Sequence, residues 1–323
     1  MKKGIAIVLA LVMALGLVGL ASAEEDKTVV RIGSLKGPTT MGLVKLMQDD
    51  KNGESLNDYE FTMAGAADEI SGKLATGDLD MALIPANLAA VLYNNTQGKI
   101  QMTAINTLGV LYVVEAGDSI QSIEDLKGKT VLSTGKGTTP EYGLNFVLSK
   151  NGIDPAKDLT IEFKSEATEA AAALADGSAT IAVLPQPFVT TAMMNNDKLR
   201  LALSLTDEWA KVEPESAMIT GVAVVNAEFA QQNPEAVQNF LSEYQASTEY
   251  VNANPQEASV WIEEADIAPA AVAEKAIPQC NIVCITGTEM KEKAEGYLNA
   301  LYEQNPKAVG GQLPDEAFYF VEE

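Results

Sequence analysis

The 323-residue sequence contains no histidine and only two cysteines. Without imidazole, neither a structural zinc site nor a histidine general base has residues to build on, and no metal or cofactor is expected. The two thiols, Cys280 and Cys284, lie four residues apart on one short segment. That spacing opposes good disulfide geometry on a helix or strand, whereas an oxidising compartment would permit a bridge, so both states stay open. Cations are also scarce: 22 Lys and Arg stand against 45 Asp and Glu, a net charge of −23. Such a surface repels nucleic acid and anionic membranes, and neither is expected as a partner. Beyond the first 23 residues, no apolar run is long enough to cross a bilayer.

What is present begins with an export signature. Lys2 and Lys3 precede an apolar run from Ile5 to Leu20, and Ala21-Ser22-Ala23 forms a small-x-small exit followed by Glu24, Glu25 and Asp26. This reads as a signal peptide over residues 1–23. Leu17-Val18-Gly19 is followed by Leu20 where a lipidated cysteine would be needed. The expectation is therefore a soluble periplasmic or extracellular protein of about 300 residues and net charge −25, large enough for two lobes.

The most informative feature is an internal echo. Leu74-Ala75-x-Gly77, Ala82 and Pro85 recur one hundred residues later as Leu174-Ala175-x-Gly177, Ala182 and Pro185. The same offset relates Lys36-Gly37-x-Thr39 to Lys136-Gly137-x-Thr139. Met81 to Ile84 and Ile181 to Leu184 are short apolar runs bounded by Gly and Pro, the pattern of strands buried on both faces. Strands alternating with helical segments imply two parallel sheets flanked by helices. The expected fold is α/β, with two open α/β lobes joined by a two-strand hinge. Asn106 to Val114 and Ala217 to Asn226 read as the two hinge strands. Lobe 1 would then be residues 24–116 plus 217–323, and lobe 2 residues 117–216. From Asn226 onward the chain reads as helical and spanning the hinge, with Pro234 and Pro255 opening helices after capping Asn233 and Asn254.

Over essentially all of the mature chain, these motifs resemble solute-binding proteins of ABC importers, in the nitrate/sulfonate/taurine and thiamine-pyrimidine class with the type II periplasmic-binding fold. The resemblance is carried by Gly37-Pro38-Thr39-Thr40-Met41-Gly42, the paired Gly–Ala–Pro blocks, Pro278 to Val283 and Gly310 to Pro314. It implies capture of a small solute, either a sulfonate- or nitrate-like anion or a planar pyrimidine-like compound, by hinge closure. Permease subunits in the membrane would be its partners, and the chain would act as a monomer.

In open α/β sheets, ligands bind beyond the carboxyl ends of the strands. Two helix-opening loops answer that description: Gly37, Pro38, Thr39, Thr40 and Met41, and Gly137, Thr138 and Thr139. Their glycines permit close backbone approach, and free N–H groups at the helix starts favour acceptor oxygens or anions. The resemblance supports the four threonines, and more weakly Asn87 and Gln186. Gly65, in the loop Ala64-Gly65-Ala66, shares that sheet edge. Tyr142 and Phe188 could stack on a planar solute or serve as ordinary packing. Lys36 and Lys136 read first as solvated lysines and second as counter-charges. Met41, Met47, Met63, Met193 and Met194 read as core filling.

Enzymes of the menaquinone pathway and a pyrimidine synthase share this fold. The synthase carries a Cys-rich motif and uses a histidine, and this sequence has neither. Ser34 and Ser133 have no base in view, and the candidate loops hold only Glu141. The expectation is a binder with no catalytic residues, with an enzyme or a receptor-docking sensory protein as the alternatives.

Overall fold

Residues 27–65 and 67–321 are described by a computed structural model. The export signature therefore lies outside the described residues, as does Ala66. The chain opens with β1 (Val29–Leu35), a one-turn helix α1 (Pro38–Met41), α2 (Val44–Lys51), β2 (Asp58–Ala64) and α3 (Ala67–Thr76). β3 (Met81–Pro85), α4 (Ala86–Thr96) and β4 (Ile100–Leu108) follow. The second unit holds β5 (Leu111–Ala116), β6 (Thr130–Thr134), α5 (Thr139–Lys150), β7 (Thr160–Lys164) and α6 (Ala167–Ala175). It continues through β8 (Ile181–Pro185), α7 (Phe188–Asn195), β9 (Leu199–Ser204) and α8 (Leu205–Val212). β10 (Ile219–Asn226) returns to the first sheet, followed by α9 (Ala227–Gln232), α10 (Pro234–Ala253), α11 (Pro255–Glu264) and α12 (Ala270–Ala276). β11 (Ile282–Ile285) and α13 (Gly287–Gln304) complete the main elements.

The hundred-residue offset maps onto equivalent positions. Leu74 and Leu174 end α3 and α6, and both are fully buried. Gly77 and Gly177 follow at φ 80° and 79°, a left-handed geometry that only glycine adopts without strain. Each donates its N–H to the leucine carbonyl at 3.3 Å. β3 and β8 then bury their first four residues.

The two sheets run β11-β4-β10-β3-β1-β2 and β7-β6-β8-β5-β9. They are mixed rather than parallel. β1 pairs with β2 and β3 in parallel, as β6 does with β7 and β8. The fourth strand of each shared pattern, β10 or β5, is antiparallel to its neighbour. The reason is topological: each of these strands is fed by chain arriving from the other unit, so it enters from the opposite end. Both sheets follow the same plan, β2-β1-β3-β10 and β7-β6-β8-β5.

Three local expectations need correction. The single strand expected over 106–114 is two strands, with β4 in one sheet and β5 in the other. The crossing falls at Gly109-Val110, where a Cβ on Gly109 would sit 2.3 Å from Thr206 Oγ1. The chain beyond Asn226 is not wholly helical, because β11 pairs with β4. Asn233 and Asn254 precede helices with Pro in the first turn, yet neither side chain caps the helix that follows. Their Nδ2 groups instead donate back to Phe229 O (3.2 Å) and Tyr250 O (2.9 Å), closing the preceding helices.

The C-terminal helix ties the units together. Trp209 of α8 is fully buried, stacked on Phe146 with ring centroids 4.0 Å apart and inclined to Tyr297 of α13 at 5.6 Å. Its indole N–H donates to Ser216 Oγ at 2.9 Å. Gln304 and Asn305 donate to the backbone carbonyl and hydroxyl of Tyr142 at 3.0 and 2.8 Å. The core formed by these residues is continuous from the first unit into the second.

Candidate functional site

A cleft of about 420 Å³ opens between the two sheets. Its walls are built where strands end and helices begin. The first unit contributes Pro85 from the end of β3, with Asn87 and Leu88 from the first turn of α4. The second contributes Pro185 from the end of β8, with Thr138, Thr139 and Pro140 at the start of α5. The crossings close the back: Val110 and Leu111 on one, Met218 and Thr220 on the other. Met218 needs room there, and a Cβ on Gly143 would meet its Cε at 2.5 Å. The lining offers three hydroxyls and one amide, and among the described residues that line it none is an acid or a base.

Thr139 and Asn87 face each other across this cleft. Thr139 Oγ1 donates to Asn87 Oδ1 at 3.1 Å, and Asn87 Nδ2 donates weakly to Ala308 O at 3.4 Å. Beside them, Thr138 turns its hydroxyl onto Gly135 O at 2.6 Å, closing its own loop. Gly137 is exposed, and its N–H donates to Glu141 Oε2 at 2.5 Å.

The other loop behaves differently. Thr40 and Met41 are fully buried, and Thr39 is nearly so. Thr40 Oγ1 lies 2.5 Å from Ser34 Oγ and also bonds Leu35 O. Met41 belongs to an apolar cluster with Val44, Val251 and Ile262. The N–H groups of Thr40 and Met41 both donate to Gly37 O, so the expected free donors are used internally. Thr39 O accepts from Asn106 Nδ2 at 3.1 Å. Gly37 and Pro38 are half-buried and Gly65 is exposed, and none of these three lines the cleft. Of the methionines read as core filling, Met194 is exposed instead.

Gln186, Tyr142 and Phe188 hold the units together or pack within them. Gln186 is 1% exposed. Its Oε1 accepts from Thr190 N (3.3 Å) and Oγ1 (2.8 Å), and its Nε2 donates to Gln279 Oε1 at 2.6 Å. Gln279 follows α12, so this bond runs between the units, and α12 touches α7 beside it. Tyr112 of β5 donates its hydroxyl to Gln279 O at 2.6 Å. Burial, with Cys280 nearby, pushes that phenol up to about 12. Asn281 adds a bond from Nδ2 to Gly109 O at 2.6 Å, at the first crossing. Tyr142 is held by Gln304 and Asn305, as described above. Phe188 packs against the second unit's outer apolar cluster.

Of the residues expected at the site, Asn87, Thr138 and Thr139 therefore meet at the cleft. Leu88, Met218 and Thr220 were missed there. The signal for the last two was their position, three residues and one residue before Gly221, inside the segment read as a hinge strand. Leu88 had no signal beyond its place after Asn87.

Two mixed α/β units, linked by two crossings and enclosing a cleft at their strand ends, define a two-lobed solute-binding protein. A family model described as ABC transporter, phosphonate, periplasmic substrate-binding protein matches residues 55–274, and the chain belongs to that family. Solved structures share the fold. An ABC transporter protein from Parabacteroides distasonis superimposes with a TM-score of 0.77 at 23% identity, covering 92% of this chain and 100% of that one. The periplasmic aliphatic sulphonate-binding protein SsuA of Escherichia coli gives 0.70 at 16% identity, covering 88% and 90%. The periplasmic nitrate-binding protein NrtA of Synechocystis gives 0.59 at 13%, covering 87% and 82%. No curated protein matches the sequence.

Proposed function

We propose that this chain captures a small organic solute in the cleft between its two lobes and presents the closed form to the membrane subunits of an importer, without chemical change to the solute. The observation that carries the reading is the facing pair Thr139 and Asn87, one on each lobe, bordering a mostly apolar cleft. A solute that touches both walls binds the closed arrangement better than the open one, and so shifts the hinge toward closure. The lobes on this reading are residues 27–108 plus 219–321 and residues 111–212, with the crossings between them as the hinge. The absence of any acid or base among the described lining residues favours holding over catalysis. The N-terminal export signature supports action outside the cytoplasm.

The test is a thermal-shift screen of the chain from Glu24 onward against sulfonates, phosphonates, nitrate, pyrimidines and other small organic solutes. A solute at one hundred times its dissociation constant stabilises the folded state by about 2.7 kcal/mol. The expected result is stabilisation by one chemical class, with the compound recovered unchanged. A compound recovered chemically altered, or no stabilisation by any class, would overturn the reading.

A further inference from the structure

We infer that the solute taken by this cleft is an uncharged, mainly apolar molecule with one or two hydrogen-bonding groups, rather than an oxyanion. The inference rests on the cleft being the binding site. Most of the wall is apolar, formed by Leu88, Val110, Leu111, Pro140 and Met218. Its polar groups are neutral: Asn87, Thr138, Thr139 and Thr220. Among the described residues that line it there is no lysine or arginine to meet an anion.

The cations nearest in sequence to the two loops are engaged elsewhere. Lys36 is ion-paired with Asp266. Lys136 stands 5.8 Å above the ring of Phe163. Both arginines that carry buried or half-buried ion pairs, Arg31 with Asp80 and Arg200 with Glu115, are likewise committed.

Of the two helix starts that border the cleft, that of α4 has neither a side-chain cap nor an acid in its first turn, whereas that of α5 is poorly equipped for an anion. A helix N-terminus binds anions through unpaired N–H groups and its positive end. In α5, Pro140 removes one donor and the Glu141 carboxylate already occupies the first turn, accepting from Gly137 N–H. Thr138 N–H donates to Gly135 O. An oxyanion placed here would give up its hydration for an apolar wall and a neighbouring negative charge. A neutral molecule gains from the same wall, and Asn87 and Thr139 can each exchange their mutual bond for one to the solute. The volume of about 420 Å³ lies in the range of small-molecule sites.

Two dyes that differ by one sulfonate separate the classes: neutral N-phenyl-1-naphthylamine and anionic 1-anilinonaphthalene-8-sulfonate. Fluorescence titration of the chain from Glu24 onward is expected to show the neutral amine binding at least tenfold tighter. Leu88→Trp, which fills the cleft from a half-buried position, is expected to weaken the amine at least tenfold while the urea midpoint stays in place. The sulfonate binding equally or more tightly, and losing affinity in Leu88→Trp, would overturn the neutral class and leave the cleft as the site. Amine binding that ignores Leu88→Trp would instead overturn the cleft itself. Failure of the amine to bind the parent protein would refute the apolar class.

Discussion

The bond between Gln186 and Gln279 gives a direct handle on closure, because it joins the lobes yet lines no part of the cleft. Consider Gln279→Met, which keeps the length of the side chain and the backbone carbonyl that accepts from Tyr112. The substitution removes Gln279 Oε1, the one acceptor of Gln186 Nε2 among the described residues. Gln186 is 1% exposed and its Oε1 is bonded to Thr190, so its amide cannot turn to find another partner without breaking those bonds. Leaving a buried donor unsatisfied costs about 1–3 kcal/mol. Gln279 itself is only half-buried, so separating the lobes admits water to the orphaned amide. The cost therefore falls on the closed arrangement and not on the open one. A shift of about 1–3 kcal/mol corresponds to roughly 5- to 150-fold in the ratio of closed to open protein. If the unliganded protein is mainly open, affinity falls by the same factor. Titration of the neutral naphthylamine against parent and variant reads this directly. Adding Gln186→Leu to the variant removes the orphan and is expected to recover part of the loss. A dissociation constant within twofold of the parent's, in a folded Gln279→Met protein, would refute the claim that this bond biases closure.

Other predictions follow from the same geometry. Leu74→Ala and Leu174→Ala occupy equivalent buried helix ends, so each is expected to lower unfolding free energy by about 2–5 kcal/mol in urea. A loss below about 0.5 kcal/mol at either position would contradict their equivalence. For Glu115, burial alone would raise the pKa, but hydrogen bonds from Ser119 and Ile120 and the charge of Arg200 outweigh it and hold the folded value below the ordinary one. A lowered folded pKa contributes stability above the unfolded value and loses it as pH falls through the folded one. Stability is thus expected to drop below about pH 4, and Glu115→Gln to flatten that drop. An unchanged acid limb in the variant would remove Glu115 from the account. Cys280 and Cys284 are free thiols, each pushed up to about 12 by burial. Both are expected to resist thiol reagents at pH 8 in the native protein and to react fully in denaturant, and prompt native labelling would contradict the packing described.

The duplicated plan was legible because both halves need the same backbone solutions. A glycine must end α3 and α6, and apolar residues must fill β3 and β8, so the two sets stand at one fixed offset. Strand direction was not legible. β5 and β10 are buried apolar runs, and such a run looks the same whichever end the chain enters from. The break at Gly109-Val110 was hidden for a related reason: apolar residues continue through it, while the change of sheet is imposed by the approach of Thr206 and Met218. At the site, Thr138 and Thr139 were found through the loop that repeats Lys36 to Thr39, yet the first copy of that loop is folded into the core. Met41 differs from its counterpart Glu141 in packing with residues of α11 and of the segment after α12, contacts with no counterpart in the second lobe. Local sequence carries no trace of which copy the C-terminal helices will cover.

The central claim is that solute sits between the lobes. The measurement that tests it most directly is a crystal structure of the chain from Glu24 onward grown with the neutral naphthylamine. The account predicts density for the dye in the cleft, against Leu88, Pro140 and Met218 and within hydrogen-bonding reach of Asn87 or Thr139. Density confined to another depression, such as the groove beside Thr103, Gln238 and Phe320, would contradict it.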